Sequence, residues 1–268
     1  MIVKKIFLFL VAMVYCVGSV EATGHKFMKC NGYDIVLDND SKHKTITVFK
    51  GGQSVFEFSE GSEPIDGIEV ANYCKANILG NGMPVVVVMT GSDGPYSWDA
   101  CYILELGAKF RVMQKIEVYE GEIEFVPQDV DKSYKIIVED ATCVHFVPWP
   151  FPYEKVTLKF DGDKFVFDKE AMKRKISKEE FDKLIADLSI KLTNDISSYE
   201  RKRIVADEVM HLIYSGNGNF AMQLIDIVWR KYYDFAEFKS GLLETLIYSP
   251  YIDGIKEIND GMLILPDK

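Results

Sequence analysis

Few residues in this chain stand at spacings that could do chemistry. In "DEVMH", Glu208 and His211 are three apart, which on a helix puts both on one face and supplies half of a di-iron carboxylate site. Such a site needs a second E-x-x-H, and the chain has none. His211 is therefore expected at a surface or helix-capping position, and no metal is assigned. "DVDKS" (Asp129, Asp131, Ser133) opens like a calcium loop, where oxygens at alternate positions wrap a hard cation. Tyr134 stands at the bend where glycine belongs, and Val138 where the closing acid would fall, so the stretch reads as a polar turn before a strand. There is no G-x-S-x-G elbow, and "GSDG" at 91–94 lacks its spacing. Cys143 and His145 would share one face of a strand, but a cysteine in an oxidising compartment is expected to be bridged, not catalytic. "GNGM" at 80–83 precedes a strand and no helix, so it is a turn and not a phosphate cradle. No catalytic residue and no cofactor follow from these motifs.

Binding offers more. In "CVHFVPWPFPY" (143–153), Pro148, Pro150 and Pro152 drive Val147, Trp149 and Phe151 out of the α region. As polyproline II, with three residues per turn, the segment would point Trp149, Phe151 and Tyr153 in different directions. It reads as a rigid arm whose rings partly pack on neighbouring strands. Exposed aromatics also anchor interfaces, so Trp149, Phe151 and Tyr153 are candidate partner-binding residues, with Tyr96 and Trp98 of "GSDGPYSWDA" as a second set.

The chain's start bears on where these residues would act. "MIVKKIFLFLVAMVYCVGSVEATG" has basic Lys4 and Lys5, an apolar run from Ile6 to Val17, and small Val20 and Ala22 flanking Glu21. That is the grammar of a secretory signal peptide covering residues 1–22, and the apolar run is shorter than the roughly 20 residues a spanning helix needs. The protein is expected to be periplasmic or secreted, with no membrane span after cleavage. Losing Lys4, Lys5 and Glu21 leaves 29 basic and 40 acidic side chains, a net charge of −11. Such a surface repels phosphate backbones, which excludes nucleic acid as a partner class. A protein or cell-envelope ligand remains. Cys30, Cys74, Cys101 and Cys143 survive cleavage at spacings too wide for a metal site, so they are disulfide candidates. Cys30–Cys74 with Cys101–Cys143 would tie local stretches, though spacing alone leaves three pairings open.

The elements that must position these groups change period partway along. From residue 33 to about 168 the apolar runs are short, β-branched or aromatic: "YDIVLD", "TITVF", "SVFEF", "VVVVM", "ACYILEL", "FRVMQKIEV", "YKIIVED" and "KVTLKF". Broken by Gly, Asp, Asn and Pro, they predict a mainly antiparallel β domain over 23–168. Gly51-Gly52 predicts one hairpin. Asp161-Gly162 predicts another, with a two-residue turn setting Leu158 opposite Phe165, Val156 opposite Phe167 and Lys159 opposite Lys164. From 169 to 268 a helical domain is expected. Ser177 and Glu180 form a capping box, with Ile176 and Phe181 as its staple. Helical spacing then predicts four helices: one through Phe181 to Leu192, one over 199–214, one through Ala221 to Trp229, and one through Phe235 to Leu246. The fold class is α+β, a β module followed by a four-helix module.

"VPQDVDKSYKIIVEDATCVHF", the "FDGDKFVFD" hairpin and the "LIYSGNGNFAMQLIDIVW…LLETLIYSPY" helices resemble exported bacterial proteins of uncharacterised activity that carry degenerate FG-GAP-like β repeats before a small helical module. The likeness spans roughly 85–252, departs from a complete D-x-D-x-D-G loop after Asp131, and implies a compartment and an architecture but no activity. Cys30 and Cys74 around short strands, with "FSEGSEP" at 58–64, also resemble small periplasmic lysozyme inhibitors. The expected function is that of a non-enzymatic binding or envelope-associated protein. The alternatives are a periplasmic hydrolase with paired carboxylates in a cleft, and a lysozyme inhibitor.

Overall fold

A computed structural model describes residues 25–40, 43–59, 67–91, 98–128, 133–142, 146, 153–192, 196–263 and 265. Strands come first and helices last, so the chain is α+β with a mainly antiparallel N-terminal part. Among the described residues three four-stranded meanders follow one another, each antiparallel and ordered as the chain runs. The first holds β1 (His25–Cys30), β2 (Tyr33–Asp40), β3 (His43–Lys50) and β4 (Gln53–Ser59). The second holds β5 (Gly67–Tyr73), β6 (Val85–Gly91), β7 (Trp98–Leu106) and β8 (Phe110–Gly121). The third holds β9 (Ile123–Pro127), β10 (Tyr134–Asp140), β11 (Glu154–Phe160) and β12 (Phe165–Phe167).

The turns explain these pairings. Gly51 and Gly52 both take positive φ, 57° and 80°, and join β3 to β4 through a Lys50–Gln53 pair, as expected. Asn31 and Gly32 do the same between β1 and β2, at 49° and 77°. Asn-Gly is a strong two-residue hairpin signal, and it sets β1, which lies before the expected first strand, beside β2. The Asp161 hairpin differs from expectation. Leu158 pairs with Phe167, Lys159 with Val166 and Phe160 with Phe165, so the loop holds four residues instead of two. Asp161 Oδ1 accepts the N–H groups of Asp163 and Lys164, both at 2.9 Å, and this side-chain turn replaces the two-residue one. A slip of two residues keeps every side chain on its face, so the apolar side survives and Lys159 no longer opposes Lys164.

The middle sheet is buried on both faces. Val86, Val88, Leu104 and Leu106 pack with Tyr33, Ile35, Ile46 and Val48 of the first sheet. Val85, Val87, Cys101 and Ile103 face the other way, into a core shared with Ile136, Val138, Val156 and Leu158 of the third sheet. That is why "VVVV" shows no polar alternation. The same core continues into the helices through Phe181, Val209, Leu212, Leu224 and Phe238.

The described residues hold six helices: α1 (Lys169–Met172), α2 (Lys178–Lys191), α3 (Ser198–Tyr214), α4 (Gly218–Val228), α5 (Phe235–Leu246) and α6 (Ile252–Ile258). Four match the expected set, and the capping box of α2 is present in full. α1 and α6 span four and seven residues, too short for a hydrophobic period to show. α6 lies on β12 so closely that a Cβ at Gly254 would stand 2.4 Å from the Phe167 ring. No helix among the described residues is long and apolar enough to cross a membrane.

Among the described residues one bridge is formed, Cys30–Cys74, linking the end of β1 to the segment after β5. Cys101, expected to pair with Cys143, is instead a free thiol buried between the second and third sheets. Its position on β7 turns it into that apolar core, and Cys143 lies outside the described residues.

Candidate functional site

The third sheet contains two acids in phase with its buried residues. Asp140 shares a face with Ile136 and Val138 on β10, and Glu154 shares one with Val156 and Leu158 on β11. The two acids are direct cross-strand partners. Both point toward α3, which answers them with Tyr214 and His211, one helical turn apart.

Asp140 is fully satisfied. Its Oδ2 accepts the hydroxyls of Tyr214 at 2.6 Å and Ser249 at 2.5 Å. Its Oδ1 accepts the Thr142 N–H at 3.0 Å and the Thr142 hydroxyl. Each oxygen thus has two donors and no lone pair left for a substrate. The group joins β10, α3 and the α5–α6 link.

Glu154 is different. Its side chain is 10% exposed and pairs with His211 Nδ1 at 3.6 Å. Burial pushes its pKa up, partly opposed by His211, with Asp207 and Asp140 adding to the rise. His211 is raised too, first by its hydrogen-bonding contact with Glu154 and then by the charges of Glu154, Glu208 and Asp207. Glu154 opens into a cleft of about 550 Å³ lined also by Tyr153, Lys155, Asp207, Glu208 and His211. The cleft exists because β12 pairs with β11 only from Leu158 to Phe160, leaving the first half of β11 without a strand on that side. The Met172 sulfur takes the Thr157 N–H at 3.2 Å, so the α1 segment forms one wall and the end of α3 the other.

The Ser215 hydroxyl donates to the carbonyls of His211 and Leu212, and the Tyr214 hydroxyl to Asp140. Cys101 lies in the core, where burial pushes its thiol far up. Among the described residues no three His, Cys, Asp or Glu side chains gather to hold a metal ion.

Of the candidate partner-binding residues, Tyr153 lines this cleft. Trp98 begins β7 but its side chain lies outside the described residues, as do Tyr96, Trp149, Phe151 and the Asp129–Asp131 turn. His211 lies at the surface, as expected, and from there also faces the buried Glu154. Glu154 and Asp140 were missed, although each is an acid in register with a strand's apolar side. Comparison of the chain with known protein families, curated proteins and solved structures finds no match in any of the three.

Proposed function

We propose that this is a non-enzymatic binding protein of an oxidising compartment outside the cytosol, periplasmic or secreted, which holds its ligand in the cleft beside Glu154. One observation carries the reading: a carboxyl group nine-tenths buried, turned into a cleft and held there by the exposed His211 imidazole at 3.6 Å. One contact at that distance offsets only part of the cost of burying a carboxyl group, and a ligand in the cleft would add to it. The hydrolase alternative needs two available carboxylates. Asp140, opposite Glu154, is saturated by four donors, so a hydrolase here would have to use Asp207 or Glu208 of the cleft lining beside Glu154. The Cys30–Cys74 bridge favours an oxidising compartment, as do the lysine-led apolar start and the likeness to exported β-repeat proteins.

A thermal-shift screen of the mature protein against amino sugars, peptidoglycan stem peptides, neutral oligosaccharides and dicarboxylates tests this. At least one compound is expected to raise Tm by about 2 °C or more by binding the native state, to be recovered unchanged, and to lose its effect in Tyr153→Ala. Recovery of a cleaved product would replace binding with catalysis. A screen without a single shift would count against the cleft itself.

A further inference from the structure

The chain contains three Asn-Gly steps, Asn31-Gly32, Asn81-Gly82 and Asn217-Gly218. Such a step can rearrange without an enzyme. The glycine nitrogen attacks the asparagine side-chain carbonyl carbon, ammonia leaves, and water reopens the resulting five-membered imide to aspartate or isoaspartate. Glycine permits this because it has no Cβ to obstruct the approach. The attacking N–H must first be free to give up its proton, and here the three steps differ. Gly218 N–H is donated to Asn259 Oδ1 at 2.6 Å, and Asn217 is buried, its Oδ1 taking the Ile176 N–H and its Nδ2 bonding the Arg174 carbonyl. Gly82 N–H is donated to Asn77 Oδ1 at 2.7 Å, and Asn81 Oδ1 accepts the Met83 N–H at 2.9 Å. The β1–β2 turn is otherwise. Its ladder closes at the Cys30–Tyr33 pair, and Asn31 and Gly32 are exposed beyond it. Among the described residues neither the Gly32 N–H nor Asn31 Oδ1 has a hydrogen-bond partner. Nothing lies within 4 Å of where a Gly32 Cβ would stand, so the turn has room to rotate and close the ring.

We infer that Asn31 is a site of spontaneous covalent modification, converted through an imide with Gly32 to aspartate or isoaspartate, while Asn77 and Asn259 protect the other two steps. In the first stage the Gly32 N–Cγ bond forms and the Cγ–Nδ2 bond breaks. The Gly32 proton passes to the leaving amide, which departs as ammonia, and one water molecule then opens the ring. No oxidant or reductant is needed. The effect falls on the end of the first two sheets that the Cys30–Cys74 bridge ties. Asn31 Nδ2 donates to the Leu106 carbonyl at 2.5 Å, the Tyr33 hydroxyl to the Gly107 carbonyl at 3.0 Å, and Lys50 Nζ to the Ala108 carbonyl. These three donors clip the β7–β8 turn to the first sheet. A carboxylate at position 31 has no donor for Leu106 and sets acceptor against acceptor. Isoaspartate also adds a carbon to the main chain of a turn only two residues long, beside the bridged Cys30.

The test incubates the purified protein at mildly alkaline pH, folded and in urea, and follows each Asn-Gly peptide over time by mass spectrometry. The rates in urea are the reference for an unprotected chain. In the folded protein Asn31 is expected to react at least about tenfold faster than Asn81 or Asn217, a barrier difference of about 1.4 kcal/mol, with isoaspartate in its peptide. Asn77→Ala is expected to release the Gly82 N–H and bring Asn81 up towards the Asn31 rate, with an unchanged circular dichroism spectrum. Aged protein and Asn31→Asp are both expected to unfold at a lower urea midpoint than fresh wild type. Equal or faster reaction at Asn81 or Asn217 in the folded protein would overturn the inference. So would an Asn31 that stays intact while the chain in urea is modified, or an Asn81 rate that Asn77→Ala leaves where it was. An unchanged midpoint after ageing would sink the loosening of the clip.

Discussion

At the scale of single residues, the third sheet uses two facing acids in opposite ways, and their substitutions should behave differently. Asp140→Ala orphans three hydroxyls and one N–H, so a loss above about 3 kcal/mol is expected in urea unfolding, against roughly 1 kcal/mol for Tyr214→Phe. The Glu154–His211 contact should instead show in pH dependence. His211 is raised above its ordinary 6.5, so its stabilisation is complete below that value and fades as pH climbs through the folded one. Glu154, raised chiefly by burial from 4.5, has the same sense: its contribution is present at acid pH and lost on going alkaline. Wild type and His211→Ala are expected to differ most in urea midpoint near pH 5 and to converge by about pH 9. Asp168 runs the other way. Burial would raise it, but Lys135, the Ala171 N–H and Lys159 together hold it below the usual carboxylate range, so Asp168→Asn should cost most near neutrality and least below about pH 3. Asp140 and Glu154 were legible in principle, since Ile136, Val138, Val156 and Leu158 already mark the buried phase. What could not be read was their partner, because Tyr214 and His211 stand 74 and 57 positions further along the chain.

At the scale of elements, most of the fold was visible wherever a run exceeded two periods. The α2 capping box follows from Ser177 and Glu180 alone. Ser177→Ala is expected to lower stability by about 1 kcal/mol, measurable as a shift of the urea midpoint at constant slope. The misread hairpin shows the limit of dipeptide rules: Asp-Gly favours a two-residue turn, but the Asp161 carboxylate can bond two later N–H groups, and does. α1 and α6 escaped because a helix of one or two turns has no repeat to detect. They owe their place to tertiary contacts such as Gly254 on Phe167.

At the scale of the whole molecule, the first sheet is tied to the second by Cys30–Cys74 across 44 residues. Reduction is expected to cost roughly 4 kcal/mol on the chain-entropy account, seen as a lower urea midpoint in reductant. Cys101, shut between two sheets, should resist iodoacetamide in the native protein and be alkylated only after unfolding, as mass mapping of that peptide would show. The continuous core through the third sheet and the helices has a consequence in time. Ribosomes deliver this polypeptide strand-first, and the hundred residues from Lys169 onward take roughly 5–20 s to follow. Until they arrive, Val156 and Leu158 have no roof, and Glu154 looks onto open water with no α3 across from it. A nascent chain halted before α6 should therefore stick to its neighbours, whereas the finished one closes over its own sheet.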